Sequence, residues 1–223
     1  MTDENQGNLG TDIIRFHRII TRGLEITIQN VNRFLEIGAL KEEKREGFIK
    51  YVQSFSTVLD AHHIHENEKI FPYFKDKLPD APYDQLMAQH KGINVLLTQI
   101  NGGINNLKSN VDELKSLDLL KTSLEKIDRI WQIHMKTEEE KIFERVGSLN
   151  ISLEETNRLR AEFSEFFGEH AKPAYLIVPF MLYNLSPKDR VVIAQGFPEI
   201  ITKQLVNADW KDEWAPMQPF LII

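Results

Sequence analysis

Two stretches of this sequence carry the same arrangement of imidazole and carboxylate side chains. His62-His63-Ile64-His65-Glu66-Asn67-Glu68-Lys69-Ile70-Phe71 is echoed by His134-Met135-Lys136-Thr137-Glu138-Glu139-Glu140-Lys141-Ile142-Phe143, with matched positions 72 residues apart. Each copy reads H-x-x-x-E and runs on as E-x-E-K-I-F. A further histidine precedes each: His17 lies 45 residues before His62, and His90 lies 44 before His134. On an α-helix, residues i and i+4 share a face, so each copy aims one imidazole and one carboxylate at a common point. Adding His17 and His90 from facing helices gives two sets of two imidazoles and one carboxylate, the ligand type of non-haem Fe(II) sites with open positions. Two such sets in one core imply a dinuclear centre, Glu66 and Glu138 bridging the ions. A lone histidine on an apolar face is ordinarily a hydrogen-bonded core residue. Two glutamates in apolar stripes, each one turn after a histidine in duplicated sequence, are not explained that way, because an unpaired buried carboxylate costs several kcal/mol.

These side chains need helices to position them, and the sequence supplies the spacing. Residues 1–10 read as a disordered tail. Thr11 and Asp12 can cap a first helix whose stripe holds Ile13, Phe16, His17, Ile20, Leu24, Ile28, Val31 and Leu35, ending at Gly38. A second starts near Glu42 and carries Phe48, Val52, Phe55, Leu59, His62, Glu66 and Ile70, until Pro72 and the Pro79–Pro82 segment close it. A third begins at Pro82 or Tyr83 and carries Leu86, His90, Ile93, Leu97, Ile100 and Ile104, with Gly102-Gly103 marking a kink or fraying point. After a polar stretch, the fourth presents Leu120, Leu124, Ile127, Trp131, His134, Glu138 and Ile142, and stops at Gly147. The pattern predicts an all-α fold: an up-down-up-down four-helix bundle over residues 11–150. Residues 151–223 break the repeat. They open on Ser152-x-x-Glu155, contain the apolar run Ala174–Leu185 and the Ser186-Pro187 cap, and read as a C-terminal helical extension packed on the bundle.

Composition narrows the function. The net charge of −6, without a basic cluster, argues against nucleic acid. With no cysteine, disulfides, thiol catalysis and Cys-ligated clusters are excluded. The polar first dozen residues do not resemble a signal peptide, and the longest apolar run is about half a bilayer crossing. A cytoplasmic protein without membrane contact is expected, its protein partners left open.

The set His17, His62-x-x-x-Glu66, His90 and His134-x-x-x-Glu138, with Ile70-Phe71-Pro72 after the first copy, resembles the haemerythrin-like (HHE cation-binding) family over about residues 11–147. The resemblance implies a four-helix bundle holding two iron ions, oxo- or hydroxo-bridged, that bind oxygen or related small molecules, with zinc or manganese as substitutes. Oxygen-carrying haemerythrins place another histidine one turn after the first of the second half, where this sequence has Asn94. Their second-half carboxylate falls at the position of Glu139, whereas the internal repeat selects Glu138. The four-His, two-Glu set is similar to that of bacterial iron–sulfur-cluster repair proteins responsive to nitric oxide, although their Cys-containing module has no counterpart here.

With a fifth imidazole missing, each iron is expected to keep about one free position, which favours turnover of oxygen, peroxide or nitric oxide over storage. Two other readings stand beside it: a non-catalytic iron, oxygen or redox sensor signalling through residues 151–223, and a structural metal site. His63 and His65 are expected in solvated or supporting roles and His170 at the surface. Glu139 and Glu140 read as a solvated face, and Tyr51 and Tyr73 as candidate proton donors.

Overall fold

The computed structural model describes residues 8–223, and among these the fold is all-helical without a strand. Four long helices, α1 (Leu9–Ile37), α2 (Glu42–His65), α4 (Tyr83–Lys108) and α5 (Glu113–Lys141), form a ring in which each packs on two others. α1 touches α2 and α5, and α4 touches α5 and α2. Short connections at 38–41 and 109–112 join consecutive members.

Local chemistry explains the boundaries, including those that depart from expectation. α1 begins at Leu9 because the Asn8 side chain accepts the Thr11 N–H, so residues 8–10 are not tail; residues 1–7 lie outside the described residues. Gly38 ends α1 in the left-handed region (φ 77°), where glycine carries no Cβ penalty, and donates its N–H to Leu35 O. α2 does not stop at Pro72. Its ladder widens into a π-turn at Glu66–Ile70 and resumes as α3 (Phe71–Lys75), where Pro72 sits in the first turn and lacks only an N–H that needs no helical partner. α4 runs unbroken through Gly102-Gly103 to Lys108. A Cβ at Gly103 would lie 3.0 Å from Leu120, so this glycine allows close approach to α5. α5 ends at Lys141, and Phe143–Ser148 continue as a 3₁₀ segment.

Residues 153–220 add α6 (Leu153–His170), α7 (Ala174–Tyr183), α8 (Pro187–Ala194), a π-turn (Ile201–Leu205), α9 (Lys211–Trp214) and a 3₁₀ segment (Ala215–Phe220). Ser152 caps α6 by accepting the Glu155 N–H; the Glu155 carboxylate instead accepts from Tyr73 Oη at 2.8 Å. Apolar contact holds these elements on α1 and α2. The Phe180 ring fills the space that a side chain at Gly23 would take, with a Cβ there only 2.8 Å away, and it packs edge-on to Tyr51. Tyr51 Oη donates to Asn184 Oδ1 at 2.6 Å, and Arg18 donates to both oxygens of Asp189 at 3.1 Å.

Two apolar layers result. One, around Leu24, Phe55, Ile127 and Trp131, fills most of the ring; the other, around Phe71, Phe74, Leu86, Phe143 and Phe163, closes one end. Each such side chain, once buried, contributes about 1.5–3 kcal/mol. That offsets the cost of the polar layer lying between them.

Candidate metal centre

Between Trp131 on one side and Phe71 and Phe143 on the other lie all six predicted groups, each at most 2% exposed: His17, His62, Glu66, His90, His134 and Glu138. α1 supplies His17, α2 and its π-turn supply His62 and Glu66, α4 supplies His90, and α5 supplies His134 and Glu138. The i to i+4 spacing works as expected: His62 Nε2 is 3.3 Å from Glu66 Oε1, and His134 Nε2 is 3.2 Å from Glu138 Oε1. Each carboxylate also reaches across the ring. Glu66 Oε2 is 3.4 Å from His90 Nε2, and Glu138 Oε2 is 3.4 Å from His17 Nε2. Two donors bound at ~2.1 Å to one ion at right angles are about 3 Å apart, so these separations match the edges of a coordination polyhedron.

The outward nitrogens are fixed. His17 Nδ1 lies 2.9 Å from Glu139 Oε1, His90 Nδ1 2.9 Å from Asn67 Oδ1, and His134 Nδ1 3.0 Å from Gln89 Oε1. Each Nδ1 therefore donates its proton outward, leaving the Nε2 lone pair facing the centre, the arrangement that orients imidazoles for metals. The His90 and His134 Nε2 atoms then face each other 3.1 Å apart. Two lone pairs that close repel unless a cation lies between them. The inward atoms His17 Nε2, His62 Nε2 and both oxygens of Glu66 and Glu138 have no hydrogen-bond partner in the protein. Buried polar atoms left so are costly, and a cation would satisfy them together. The donor set fits a metal: His17, His62, Glu66 and Glu138 form one group whose ligand atoms lie within 4.8 Å of one another, and His63, Glu66, His90 and His134 form another.

Electrostatics in the metal-free protein follow from burial and crowding. Burial, then the neighbouring imidazoles, hold His62 and His63 well below the usual histidine range, and burial brings His90 to about 3. Burial opposes protonation of His17 too, but the carboxylates of Glu138 and Glu139 beside it outweigh that and raise its pKa. Burial, then repulsion from Glu138, pushes Glu66 well above the usual carboxylate range. In Glu138, His134 and His17 overcome the effect of burial and hold the pKa low. The carboxylate pair thus keeps its charge on Glu138.

Several residues stand elsewhere than the sequence reading put them. His63 is fully buried rather than solvated, stacked on His90 with ring centroids 4.1 Å apart, and neither of its nitrogens has a partner. His65 is 8% exposed and edge-on to Phe163; burial brings its pKa to about 4. Glu139 supports His17 rather than facing solvent, whereas Glu140 is exposed and pairs with Lys136. Tyr51 and Tyr73 are engaged with Asn184 and Glu155, not with the centre. Asn94 is exposed, and His170 is at the surface, donating to Phe166 O. Asn67 and Glu139 are matched positions of the repeat, each holding the histidine of a facing helix. A polar residue directly after each of Glu66 and Glu138 was the available signal for them. Gln89 left no such signal.

Compared with known proteins, residues 11–146 match the Hemerythrin HHE cation binding domain. No curated protein and no solved structure matches the chain. Since the match runs from the first helix to the segment behind Glu138 and takes in His17, His62, Glu66, His90, His134 and Glu138, the chain belongs to the hemerythrin HHE cation binding domain family.

Proposed function

We propose that this protein is a haemerythrin-like di-iron protein that binds and reduces a small oxidant (oxygen, peroxide or nitric oxide), with its four long helices running up, down, up and down around the centre. The observation that carries this reading is the reach of the two carboxylates. Each has one oxygen beside the His17/His62 pair and the other beside His90 and His134, as bridging groups must. Imidazole and carboxylate suit Fe(II) better than they suit hard alkaline-earth ions, and zinc or manganese remain substitutes. Bound iron would supply electrons to the oxidant.

The chain's own residues make the two halves unequal. His63 adds a third imidazole to the His90/His134 side, and its repeat counterpart is Met135, whose sulfur accepts from Thr21 Oγ1 at 3.5 Å. The His17/His62 side therefore has two imidazoles against three, and is where an exogenous molecule binds. Trp131, Phe71 and Phe143 keep bulk water from the layer. Mixing the ferrous-loaded chain with oxygen, hydrogen peroxide or nitric oxide tests this. Oxidant consumption coupled to iron oxidation is expected; reversible oxygen binding without oxidation, or no reaction with any of the three, would refute it.

A second reading, a cytoplasmic redox or iron sensor, is favoured by one contact. His65, the residue before Glu66, packs on Phe163 of α6, so occupancy of the centre can alter how residues 151–223 dock. A metal-dependent change in protease cleavage after residue 150, without oxidant turnover, would support it.

A further inference from the structure

The three imidazoles held from behind are not held alike. Asn67 and Gln89 present neutral amide oxygens to His90 and His134, whereas Glu139 presents a carboxylate to His17, its Oε1 2.9 Å from Nδ1. Asn67 and Glu139 are matched positions of the repeat, and Asn67 accepts from His90 at the same 2.9 Å. Distance and register are therefore equal in the two copies, and the two partners differ by one negative charge.

Glu139 is not needed to hold the ring in place. The His17 imidazole is fully buried and meets Trp131 and Phe143 edge-on, at centroid distances of 5.4 and 5.7 Å, so packing already fixes its orientation. What the carboxylate adds is electronic. A charged acceptor makes a hydrogen bond roughly twice as strong as a neutral one and draws the Nδ1 proton outward. The ring gains basicity at Nε2, the nitrogen that faces the centre, and a more basic imidazole favours the more highly charged ion. The Glu139 side chain is 25% exposed, so its charge is solvated while that of the ring it supports is not.

We propose that Glu139 acts through His17 as a positioning residue, its carboxylate on Nδ1 making the ion on the His17/His62 side the more readily oxidised of the two. Resting on the di-iron reading, this role falls on the half that has two imidazoles against three and receives the exogenous molecule. Glu139 thus places the first electron to leave beside the oxidant that takes it, and the amide-backed half supplies the second. Each electron passes from a ferrous ion, which becomes ferric, to that oxidant.

Two charge changes of nearly constant shape test the proposal in the full-length chain. Glu139→Gln keeps an acceptor oxygen and removes the charge; Asn67→Asp adds a charge on the other half. Both variants should fold and bind two ions per chain, as the wild type does. In an anaerobic redox titration of the iron-loaded chain, Glu139→Gln should raise the lower of the two potentials. A loss of about tenfold in preference for ferric over ferrous ion is a rise of about 59 mV for a one-electron couple. Asn67→Asp should lower the higher potential by a similar amount. Proton NMR of the zinc-loaded, nitrogen-15 histidine-labelled chain reads the same bond without redox chemistry. The His17 Nδ1 proton should resonate downfield of those of His90 and His134, and should join them in Glu139→Gln. Unchanged potentials in a Glu139→Gln chain that holds two irons, or an unmoved His17 proton, would overturn the proposal. Loss of an ion in that variant would also overturn it, by making Glu139 a ligand. A chain that reduces no oxidant would refute the proposed function and leave the zinc result standing, so the two failures are distinguishable.

Discussion

Lowering the pH of the metal-free protein should destabilise it steeply, and the size of the effect follows from the buried layer. His62, His63, His65 and His90 all have pKa values pushed below the usual 6.5, to about 4 for His65 and about 3 for His90. A histidine whose folded pKa is depressed stays neutral in the fold but takes up a proton when the chain unfolds below pH 6.5. Each then adds a penalty that grows as pH falls. Glu66 works the other way: its raised pKa keeps it protonated in the fold, and unfolding above pH 4.5 releases that proton. His17, with a raised pKa, contributes stability in full below pH 6.5 and loses it only as pH rises further, so it adds no slope in the acid window. Between about pH 6.5 and 4.5, unfolding therefore takes up roughly three protons, which makes stability fall on the order of 4 kcal/mol per pH unit. Against the 5–15 kcal/mol typical of a folded domain, one unit is a large share. Urea titrations with chelator present, at half-unit steps from pH 7.5 to 5, measure the slope. Metal-loaded protein should lose much less over the same range, since bound nitrogens take no proton until the ions leave. A flat profile for the metal-free chain between pH 6.5 and 5.5 would refute the reasoning.

Two further outcomes follow from single side chains. A Cβ at Gly47 would lie 1.8 Å from Pro216 O, so Gly47→Ala should displace the 215–220 segment, cost about 1–3 kcal/mol and expose that segment to protease. Metal content should be unaffected, as His62 lies about 22 Å farther along the same helix. His63→Phe preserves the stack on His90 but removes both nitrogens; iron should still bind, with the affinity of the second ion lowered about tenfold to a hundredfold. An unchanged second affinity by isothermal titration would remove His63 from the ligand set.

How much of this was legible in the sequence depended on whether a signal was periodic. The duplicated H-x-x-x-E and its paired upstream histidines led to the six groups that the fold brings together, because helix spacing and repeat spacing are both one-dimensional. The extent of α1 was missed because Asn8, which lies before the apolar stripe that begins at Ile13, is the side chain that caps it. Pro72 was read as a stop because a proline ordinarily breaks an α ladder; the π-turn at Glu66–Ile70 resets the register so that Pro72 starts a new turn. His63 was given a solvated or supporting role rather than a place among the candidate ligands because α2 was treated as having one buried face. Covered by α1, α4 and the C-terminal elements, α2 is buried nearly all round, and His63 points into the neighbouring half of the centre. Tyr51 illustrates the same limit, since its partner Asn184 lies 133 residues away and no local pattern links them.

Anaerobic titration of the metal-free chain with ferrous iron, read as iron bound per chain, tests the central claim most directly. Seven inward side chains in two groups, with Glu66 and Glu138 reaching histidines of both, predict saturation at two ions per chain, with both lost when Glu138 is replaced by alanine. Saturation at one ion, or no tight binding at neutral pH, would contradict the account.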